Sequence, residues 1–255
     1  MSRTQGVSSM FICLLLAIKV MSIGIIVPVY FDPSEDGNSC TDWQPLISAV
    51  SSHPDLPFFI IVNPDSGPGS GKKPDSDYQS CIPELRTSAN TNVKILGYVS
   101  TQQGTRTSSK VTGDISKYAG WGSAYRPDGI FFDEGASNFV SVYSTWATDA
   151  YDSFSFVALN SGVEPNAQYF SIVDLICTAE NFYADFSLSD ITISPSAPAS
   201  KQSVILHDGP TTPDSTLISE LESLGIGALY LTDVAYDVGL PSEWTTFVGD
   251  VNSAN

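Results

Sequence analysis

Two adjacent carboxylic acids close an otherwise apolar segment near the middle of the chain, Gly129-Ile130-Phe131-Phe132-Asp133-Glu134. Burial beside aromatic residues raises a carboxyl pKa, and a neighbouring carboxylate pushes the two pKa values apart. Such a difference allows one acid to donate a proton while the other stays ionised, as glycoside hydrolysis requires. An acidic helix N-cap that follows a strand would give the same residue pattern. The motif alone therefore leaves a catalytic and a structural interpretation open.

A third acid, Glu180, follows the apolar run of residues 172–177. Two carboxylates at strand ends that face one opening are the minimum equipment for cleaving a glycosidic bond. Neighbouring residues on a strand point to opposite faces, so Asp133 and Glu134 share one task only if the strand ends between them. The candidate catalytic residues are therefore Asp133, Glu134 and Glu180.

Aromatic side chains near the predicted strand ends could supply stacking faces for sugar rings. They are Tyr30, Tyr98, Tyr183 and Trp244, and for any single one of them ordinary packing is the favoured interpretation. His207 closes an apolar run beside Asp208, where it could contact a substrate or serve the fold. Tyr30, Tyr98, Tyr183 and His207 are retained as candidate substrate-binding residues.

Other chemistries are poorly supported by the sequence. It contains no Gly-x-Ser-x-Gly motif and only two histidines, His53 and His207, for a catalytic triad. Without a Cys-x-x-Cys pair, these two histidines also make a zinc site a weak interpretation. We expect neither a metal nor a cofactor.

The charge balance is strongly acidic. Among 255 residues, 11 Lys and Arg stand against 28 Asp and Glu, for a formal charge of -17. Such a field repels phosphate backbones, which argues against a nucleic-acid partner, and attracts cationic ligands. The same acidity would also keep an exported protein soluble, so the charge by itself identifies no ligand.

Apolar, β-rich runs alternate with amphipathic stretches along the chain, which predicts parallel strands joined by helices. Eight such runs in one domain of this length favour a closed (β/α)8 TIM barrel over an open sheet. Pro28 fits the first run badly, because proline cannot donate to a central ladder. The predicted strands cover residues 23–31, 58–63, 93–99, 129–133, 154–159, 172–177, 203–207 and 228–232.

Residues 1–22 are typical of a signal peptide, with an apolar core at residues 10–18 that is too short to span a bilayer. An uncleaved N-terminal anchor is the alternative. In the barrel domain, residues 23–255, Cys40 and Cys81 lie outside the predicted strands. They are the preferred disulfide pair, and Cys177 is expected to be buried and unpaired. We expect a secreted or cell-wall monomer without a membrane span after cleavage.

Several motifs, in order, resemble the spherulation-specific (spherulin-4-like) family. The likeness covers nearly all of the chain after the signal segment, and the second motif is highly specific. The motifs are Val27-Pro28-Val29-Tyr30, residues 61–69 (Ile-Val-Asn-Pro-Asp-Ser-Gly-Pro-Gly), residues 96–101 (Leu-Gly-Tyr-Val-Ser-Thr), residues 129–134, Tyr230-Leu231-Thr232-Asp233 and residues 240–244 (Leu-Pro-Ser-Glu-Trp).

The resemblance implies a (β/α)8 barrel and an endo-acting hydrolase of galactosaminogalactan, cutting at α-1,4-linked N-acetylgalactosamine. It places the family's catalytic acids at Asp133, Glu134 and Glu180. The match at Glu180 is less exact, because the residue before it is Ala179 rather than the family's usual apolar residue. Asn63 and Asp233, which lie in the motifs, join the candidate substrate-binding residues. A partly deacetylated, cationic polysaccharide would suit the acidic charge. The alternatives are a non-catalytic carbohydrate-binding protein and a spore-coat or cell-wall structural protein on the same barrel.

Overall fold

The computed structural model describes residues 22–34, 39–86 and 92–255 of the chain. Its eight parallel strands close into a barrel in sequence order, from β1 next to β2 around to β8 next to β1. The predicted (β/α)8 barrel is therefore confirmed. The strands are β1 Gly24–Val29, β2 Phe58–Val62, β3 Val93–Ser100, β4 Gly129–Asp133, β5 Phe156–Asn160, β6 Leu175–Phe182, β7 Gln202–His207 and β8 Ala228–Leu231.

Within the described residues, six α-helices surround the barrel. They are α1 Gln44–Ser52, α2 Ser76–Glu84, α3 Ser108–Ala119, α4 Val140–Tyr151, α5 Ser215–Ser223 and α6 Trp244–Ala254. The connection from β5 to β6 uses a 3-10 helix, Ala167–Ser171, and the connection from β6 to β7 uses three short 3-10 turns. The β6–β7 connection corresponds to a Ser- and Pro-rich stretch that is unsuited to a regular helix.

The strands are buried on both faces, which explains why they read as continuous apolar runs. Their carboxyl ends meet at one rim, where barrel enzymes carry their active sites. Pro28 remains inside β1 without a bulge. Gly24 donates its amide to Gly227 on the β8 side and Ile25 donates to Pro57 on the β2 side. Because successive backbone N–H groups of a strand face opposite neighbours, the nitrogen of Pro28, like that of Gly24, faces β8. The pairing between β1 and β8 ends at Ile25, so Pro28 lies beyond it and no ladder hydrogen bond is lost.

Cys40 and Cys81 form the predicted disulfide, with their Cα atoms 5.6 Å apart. Cys177 is buried and not disulfide-bonded, as predicted. In the described part of the chain, no helix is both long and apolar enough to cross a membrane. The predicted signal segment, apart from Ser22, lies outside the described residues.

Candidate active site

Asp133 is the last residue of β4, and its carboxyl group is partly buried at the mouth of the barrel. Burial and the negative charge of Glu180 raise its pKa to about 6, although hydrogen bonds from the Glu134 backbone, Asn160 and Tyr98 act in the opposite direction. This carboxyl group therefore changes its charge near neutral pH, which is the range in which acid–base chemistry operates.

Glu180 lies on β6, close to Asp133. One amide nitrogen, Nδ2 of Asn160 at the end of β5, donates to Asp133 Oδ1 at 2.8 Å and to Glu180 Oε2 at 2.5 Å. These two acceptor oxygens are therefore separated by at most the sum of the two distances, about 5.3 Å. Three consecutive strands thus supply two carboxylates and the amide that joins them.

The orientation of the Asn160 amide is fixed by the chain that follows it. Its Oδ1 atom accepts the backbone N–H of Gly162 at 2.9 Å, which leaves the NH₂ group to face the two carboxylates. The carbonyl of Gly162 in turn accepts the N–H of Glu180 at 3.0 Å. Gly162 has a φ of +65°, a left-handed conformation that favours glycine. The β5–β6 connection therefore holds the bridging amide and one of the acids together.

A β-bulge directs Glu180 into the barrel. Cys177 pairs with Ser203 and Ala179 with Val204, so Thr178 is an extra residue on β6. In a regular strand, residues 177 and 180 would point to opposite faces. The extra residue places Glu180 on the same face as Cys177, whose buried thiol lies close enough for Glu180 and Asp133 to raise its pKa further after the larger effect of burial.

Glu134 follows the end of β4 and has a different environment. It adopts a left-handed conformation with φ 52° and is exposed. Its Oε2 accepts the hydroxyl of Ser100 at 2.5 Å, and its carbonyl accepts the N–H of Gln103 at 2.7 Å. The strand thus ends between the two acids. Glu134 is held against the β3 loop and takes no part in the Asn160 bridge.

Gly135 completes the Asp133-Glu134-Gly135 turn. Its amide donates to the carbonyl of Asn160 at 2.7 Å. A Cβ atom at position 135 would overlap that same carbonyl oxygen and the side chain of Leu159. Glycine is therefore required at this position because the backbones after β4 and β5 approach each other closely.

An arc of aromatic side chains completes the rim. Tyr98 contacts Tyr30, Tyr30 contacts Tyr236, Tyr236 contacts His207 and His207 contacts Phe182, with ring centroids 5.4, 6.2, 5.8 and 4.4 Å apart. Tyr30 is partly buried. Burial raises the pKa of its hydroxyl most, and the negative charges of Asp133 and Glu180 raise it further. The acids and Asn160 thus occupy one part of the rim and the aromatic arc the rest.

Two clefts adjoin this arc. One, of about 480 Å³, is lined by Tyr30, His207 and Tyr236. The other, of about 450 Å³, is lined by Tyr30, Asn63 and Tyr78 among others. The side-chain oxygen of Asn63 accepts the N–H of Gly67 at 2.8 Å and so shapes the glycine-rich loop after β2. Of the candidate binding residues, Tyr30, His207 and Asn63 therefore border open space at the mouth.

The other candidate binding residues have structural contacts. Tyr98 is only 7% exposed, so its ring offers no stacking face, and its hydroxyl bonds to Asp133. Tyr183 donates to Asp214, the N-cap of α5, at 2.6 Å. Asp233 accepts the N–H of Ser242 at 2.9 Å within the loop between β8 and α6.

Trp244 belongs to the helix layer around the barrel. It is buried at the start of α6, where it packs against α1 through a hydrogen bond to the carbonyl of Pro45. The ring therefore offers no face for a sugar, as the packing interpretation predicts, because the apolar side of α6 uses it for packing.

Three residues of the mouth were missed by the sequence analysis. Asn160 gave a usable signal, since a polar residue closes an apolar strand just as Asp133 does. Phe182 follows Glu180 by two residues and therefore points to the same face of β6. Tyr236 lies in a loop and gave no signal. Groups of His, Cys, Asp and Glu able to hold a metal are absent from the described residues.

These features define a single-domain (β/α)8 barrel with a carboxylate pair at the rim where barrel enzymes carry their active sites. The sequence matches the spherulation-specific family 4 over residues 24–251, and the chain belongs to that family.

Among solved structures, Aspergillus clavatus Sph3 in complex with GalNAc has a TM-score of 0.78 and 26% sequence identity to this chain, covering 91% of this chain and 98% of its own. A chitinase from Rhizomucor miehei has a TM-score of 0.54 at 11% identity, covering 93% and 100% of the two chains. A broad-specificity GH5-4 endoglucanase from an uncultured bacterium has a TM-score of 0.50 at 11% identity, covering 93% and 95%. These two share the fold.

No match was found among curated protein sequences. The similarity to Sph3 and the barrel architecture together support a role as a glycoside hydrolase or a carbohydrate-binding protein.

Proposed function

We propose that the protein is a secreted, endo-acting glycoside hydrolase that cleaves a polysaccharide containing N-acetylgalactosamine, at α-1,4 linkages as in galactosaminogalactan. The observation that carries this proposal is the Asn160 amide shared by Asp133 and Glu180. The similarity to Sph3, whose structure contains GalNAc, supports the choice of sugar. The acidic charge of the chain is compatible with a partly deacetylated, cationic polymer.

The separation of the two carboxylates supports a retaining mechanism. Retaining enzymes hold the working carboxyl groups about 5–5.5 Å apart, and inverting enzymes hold them about 6.5–9.5 Å apart. The two Asn160 hydrogen bonds keep Asp133 Oδ1 and Glu180 Oε2 within about 5.3 Å of each other, which is shorter than the inverting range.

The roles follow the family resemblance: Asp133 works in its ionised form, which is populated above its pKa of about 6 and which the hydrogen bonds from Asn160 and Tyr98 favour. In the first step, Asp133 attacks the anomeric carbon while Glu180 donates a proton to the glycosidic oxygen. The bond between carbon and leaving oxygen breaks, and a covalent glycosyl-Asp133 ester forms. In the second step, the ionised Glu180 takes a proton from water, and the resulting oxygen attacks the same carbon and releases Asp133. Asn160 keeps the two groups in register, and Tyr98 donates to Asp133.

The remaining mouth residues have supporting roles in this proposal. Tyr30, Asn63 and His207 border the clefts and contact the sugar chain, whereas Tyr183 and Asp233 position the loops around it. Glu134, bonded to Ser100, fixes the turn that follows Asp133.

Export is supported by the Cys40–Cys81 disulfide, because such bonds persist in oxidising compartments. N-terminal sequencing of secreted material should place the mature start near Ile23. Recovery of the intact segment 1–22 in a membrane fraction would favour the anchor.

The proposed activity is tested by incubating the purified protein with galactosaminogalactan and identifying released oligosaccharides by mass spectrometry. Release of N-acetylgalactosamine oligomers of several lengths is expected for an endo-acting enzyme. Saturable binding without any release would support the carbohydrate-binding alternative, and tight self-association without binding would support the structural one.

A further inference from the structure

Tyr236 lies in the loop between β8 and α6, and its ring is fixed by three aromatic neighbours. The ring centroid is 6.2 Å from that of Tyr30, 5.8 Å from that of His207 and 6.4 Å from that of Tyr230. Packing on these rings holds the plane of the Tyr236 ring. The fold therefore sets the position of the hydroxyl group at its tip.

This hydroxyl group faces Glu180. Its oxygen is buried and makes a loose hydrogen bond to the Glu180 carboxylate. Burial raises the pKa of Tyr236 most, and the negative charge of Glu180 raises it next, so the hydroxyl keeps its proton and remains a donor around neutral pH. A donor to a carboxylate stabilises the ionised form. Catalytic hydrogen bonds are often loose in the free enzyme and tighten when substrate binds.

Asp133 has a partner of the same kind. Tyr98 on β3 bonds to Asp133, and both Tyr98 and Tyr236 pack edge-on against Tyr30. Each acid therefore has a tyrosine donor of its own, whereas the Asn160 amide donates to both acids. A donor that serves one acid favours ionisation of that acid over the other, which a shared donor does not do.

Other titratable groups face this pair from the surrounding elements. They are Tyr30 after β1, Tyr98 on β3, Asp133 on β4 and Cys177 on β6 around Glu180, and His207, Asp208 and Asp237 around the Tyr236 ring. Tyr30 and Cys177 stay neutral, because burial raises the pKa of each well above its ordinary value. Tyr236→Phe keeps all of these groups, so its effect isolates the hydroxyl.

We infer that Tyr236 is a positioning residue for Glu180, whose hydroxyl stabilises the carboxylate that remains when Glu180 has given up its proton. This inference rests on the proposed function, in which Glu180 donates a proton to the leaving oxygen in the first step and takes one from water in the second. Tyr236 makes the first transfer easier and acts through Glu180 rather than on the sugar.

Tyr236→Phe removes the hydroxyl and keeps the ring. Without its donor Glu180 is a weaker acid, so kcat/KM for the polysaccharide should fall about tenfold. The basic limb of the pH profile, which reports the general acid, should move to higher pH. An aryl glycoside of the same oligosaccharide, with a leaving group that departs without a proton, should be cleaved within about threefold of the wild-type rate. A merely structural role for Tyr236 would lower both rates together, which would overturn the inference.

Two further variants serve as comparisons. Tyr98→Phe should move the acidic limb instead, because Tyr98 serves Asp133. Tyr151→Phe is the matched control, because Tyr151 also donates to a carboxylate, Asp174, at 2.8 Å, but does so before β6 at the opposite end of the barrel. It should move neither limb. Thermal melting of each variant separates loss of activity from loss of folding.

A second measurement does not depend on turnover. In a carbon-13 NMR titration of glutamate carboxyls, Glu180 is identified by the resonance that Glu180→Gln loses. Its titration should move to higher pH in Tyr236→Phe and stay in place in Tyr151→Phe. An unmoved titration in Tyr236→Phe would overturn the inference even if the wild type cuts the polysaccharide. A moved titration, in a protein whose wild type shows no hydrolysis, would uphold the contact between Tyr236 and Glu180 and contradict the proposed function.

Discussion

Asp133 and Glu180 accept hydrogen bonds from the same nitrogen atom, Nδ2 of Asn160, although the acids lie on strands that are separated by β5. Each NH₂ hydrogen of that amide serves one carboxylate, and the amide oxygen is occupied by Gly162. The three side chains therefore form one unit. A change at any of them alters the charge or the position of the other two.

The first prediction concerns Asn160→Ala. The hydrogen bond from Asn160 lowers the pKa of Asp133, which burial and Glu180 raise to about 6. Its removal should raise that pKa further, so the acidic limb of the kcat/KM profile should move to higher pH. A hydrogen bond to a charged group contributes about 1.5–3 kcal/mol, so the rate should fall about ten- to a hundredfold.

The measurement is the pH dependence of kcat/KM for oligosaccharide cleavage. Asn166→Ala serves as the control, because Asn166 is an exposed cap residue in the same connection, bonded to the backbone of Gln168. A lower rate at every pH with no movement of the acidic limb would show that Asn160 does not act through Asp133.

The second prediction concerns the stability of Asp133→Asn. Asp133 has a pKa of about 6 in the folded protein against a reference value of 3.8. As pH rises from about 4 to 6, the unfolded chain loses this proton before the folded one, so the wild type loses stability across that window. Asp133→Asn has no carboxyl group at this position, so its stability does not fall in this window on account of residue 133. Its stability relative to wild type should increase by on the order of 1–3 kcal/mol between pH 4 and pH 7.

Urea unfolding at the two pH values gives this difference. Asp55→Asn removes an exposed carboxyl in the loop before β2, at the opposite end of the barrel, and should show a much smaller dependence. Equal pH dependence in Asp133→Asn and wild type would mean that the Asp133 carboxyl is not held in the buried, charged environment described above.

The third prediction compares two glycines. Gly135→Ala should destabilise the protein by about 2 kcal/mol or more, because the added Cβ would overlap the carbonyl oxygen of Asn160. Gly113→Ala should stabilise it by about 0.5–1 kcal/mol, because Gly113 lies inside α3 with nothing within 4 Å of the added atom. Thermal melts of both variants suffice. Equal melting temperatures would contradict the close approach of β4 and β5.

The fourth prediction concerns Glu134→Gln. Because Glu134 is exposed and bonded to Ser100 rather than to Asn160, neutralising it should reduce kcat less than about tenfold. The comparison is with Ser100→Ala, which removes the same contact from the other side and should give a similar loss. A loss of about a thousandfold or more in Glu134→Gln would show that Glu134 performs proton transfer itself.

The barrel could be predicted from the sequence because strands covered on both faces read as continuous apolar runs, and β1 to β4 fall close to the predicted ranges. The start of β6 was placed too early. Residues 167–171 form a 3-10 helix that Ile172 caps, so the apolar residues there pack without joining the strand. The strand also continues past Cys177 to Phe182, where polar side chains face the mouth and interrupt the apolar pattern.

The presence of acids at the mouth was visible in the sequence, but their arrangement was not. The bulge at Thr178 turns Glu180 inward, and no residue type at that position signals it. The bridge through Asn160 joins three strands, and such a long-range contact leaves no spacing pattern in the chain. Tyr183 and Asp233 have the right residue types for binding sugars, yet hydrogen bonds within their loops occupy their polar atoms.

The central claim is that Asp133 and Glu180 are the two working carboxyls, and the rates of oligosaccharide release by Asp133→Asn and Glu180→Gln test it most directly. Each substitution removes a charge while keeping the shape, so both variants should fold like the wild type. A positioned acid or base typically contributes about 10²- to 10⁴-fold, so each variant should lose at least about a hundredfold in kcat. Wild-type activity in either variant, with the folded state intact, would contradict the account.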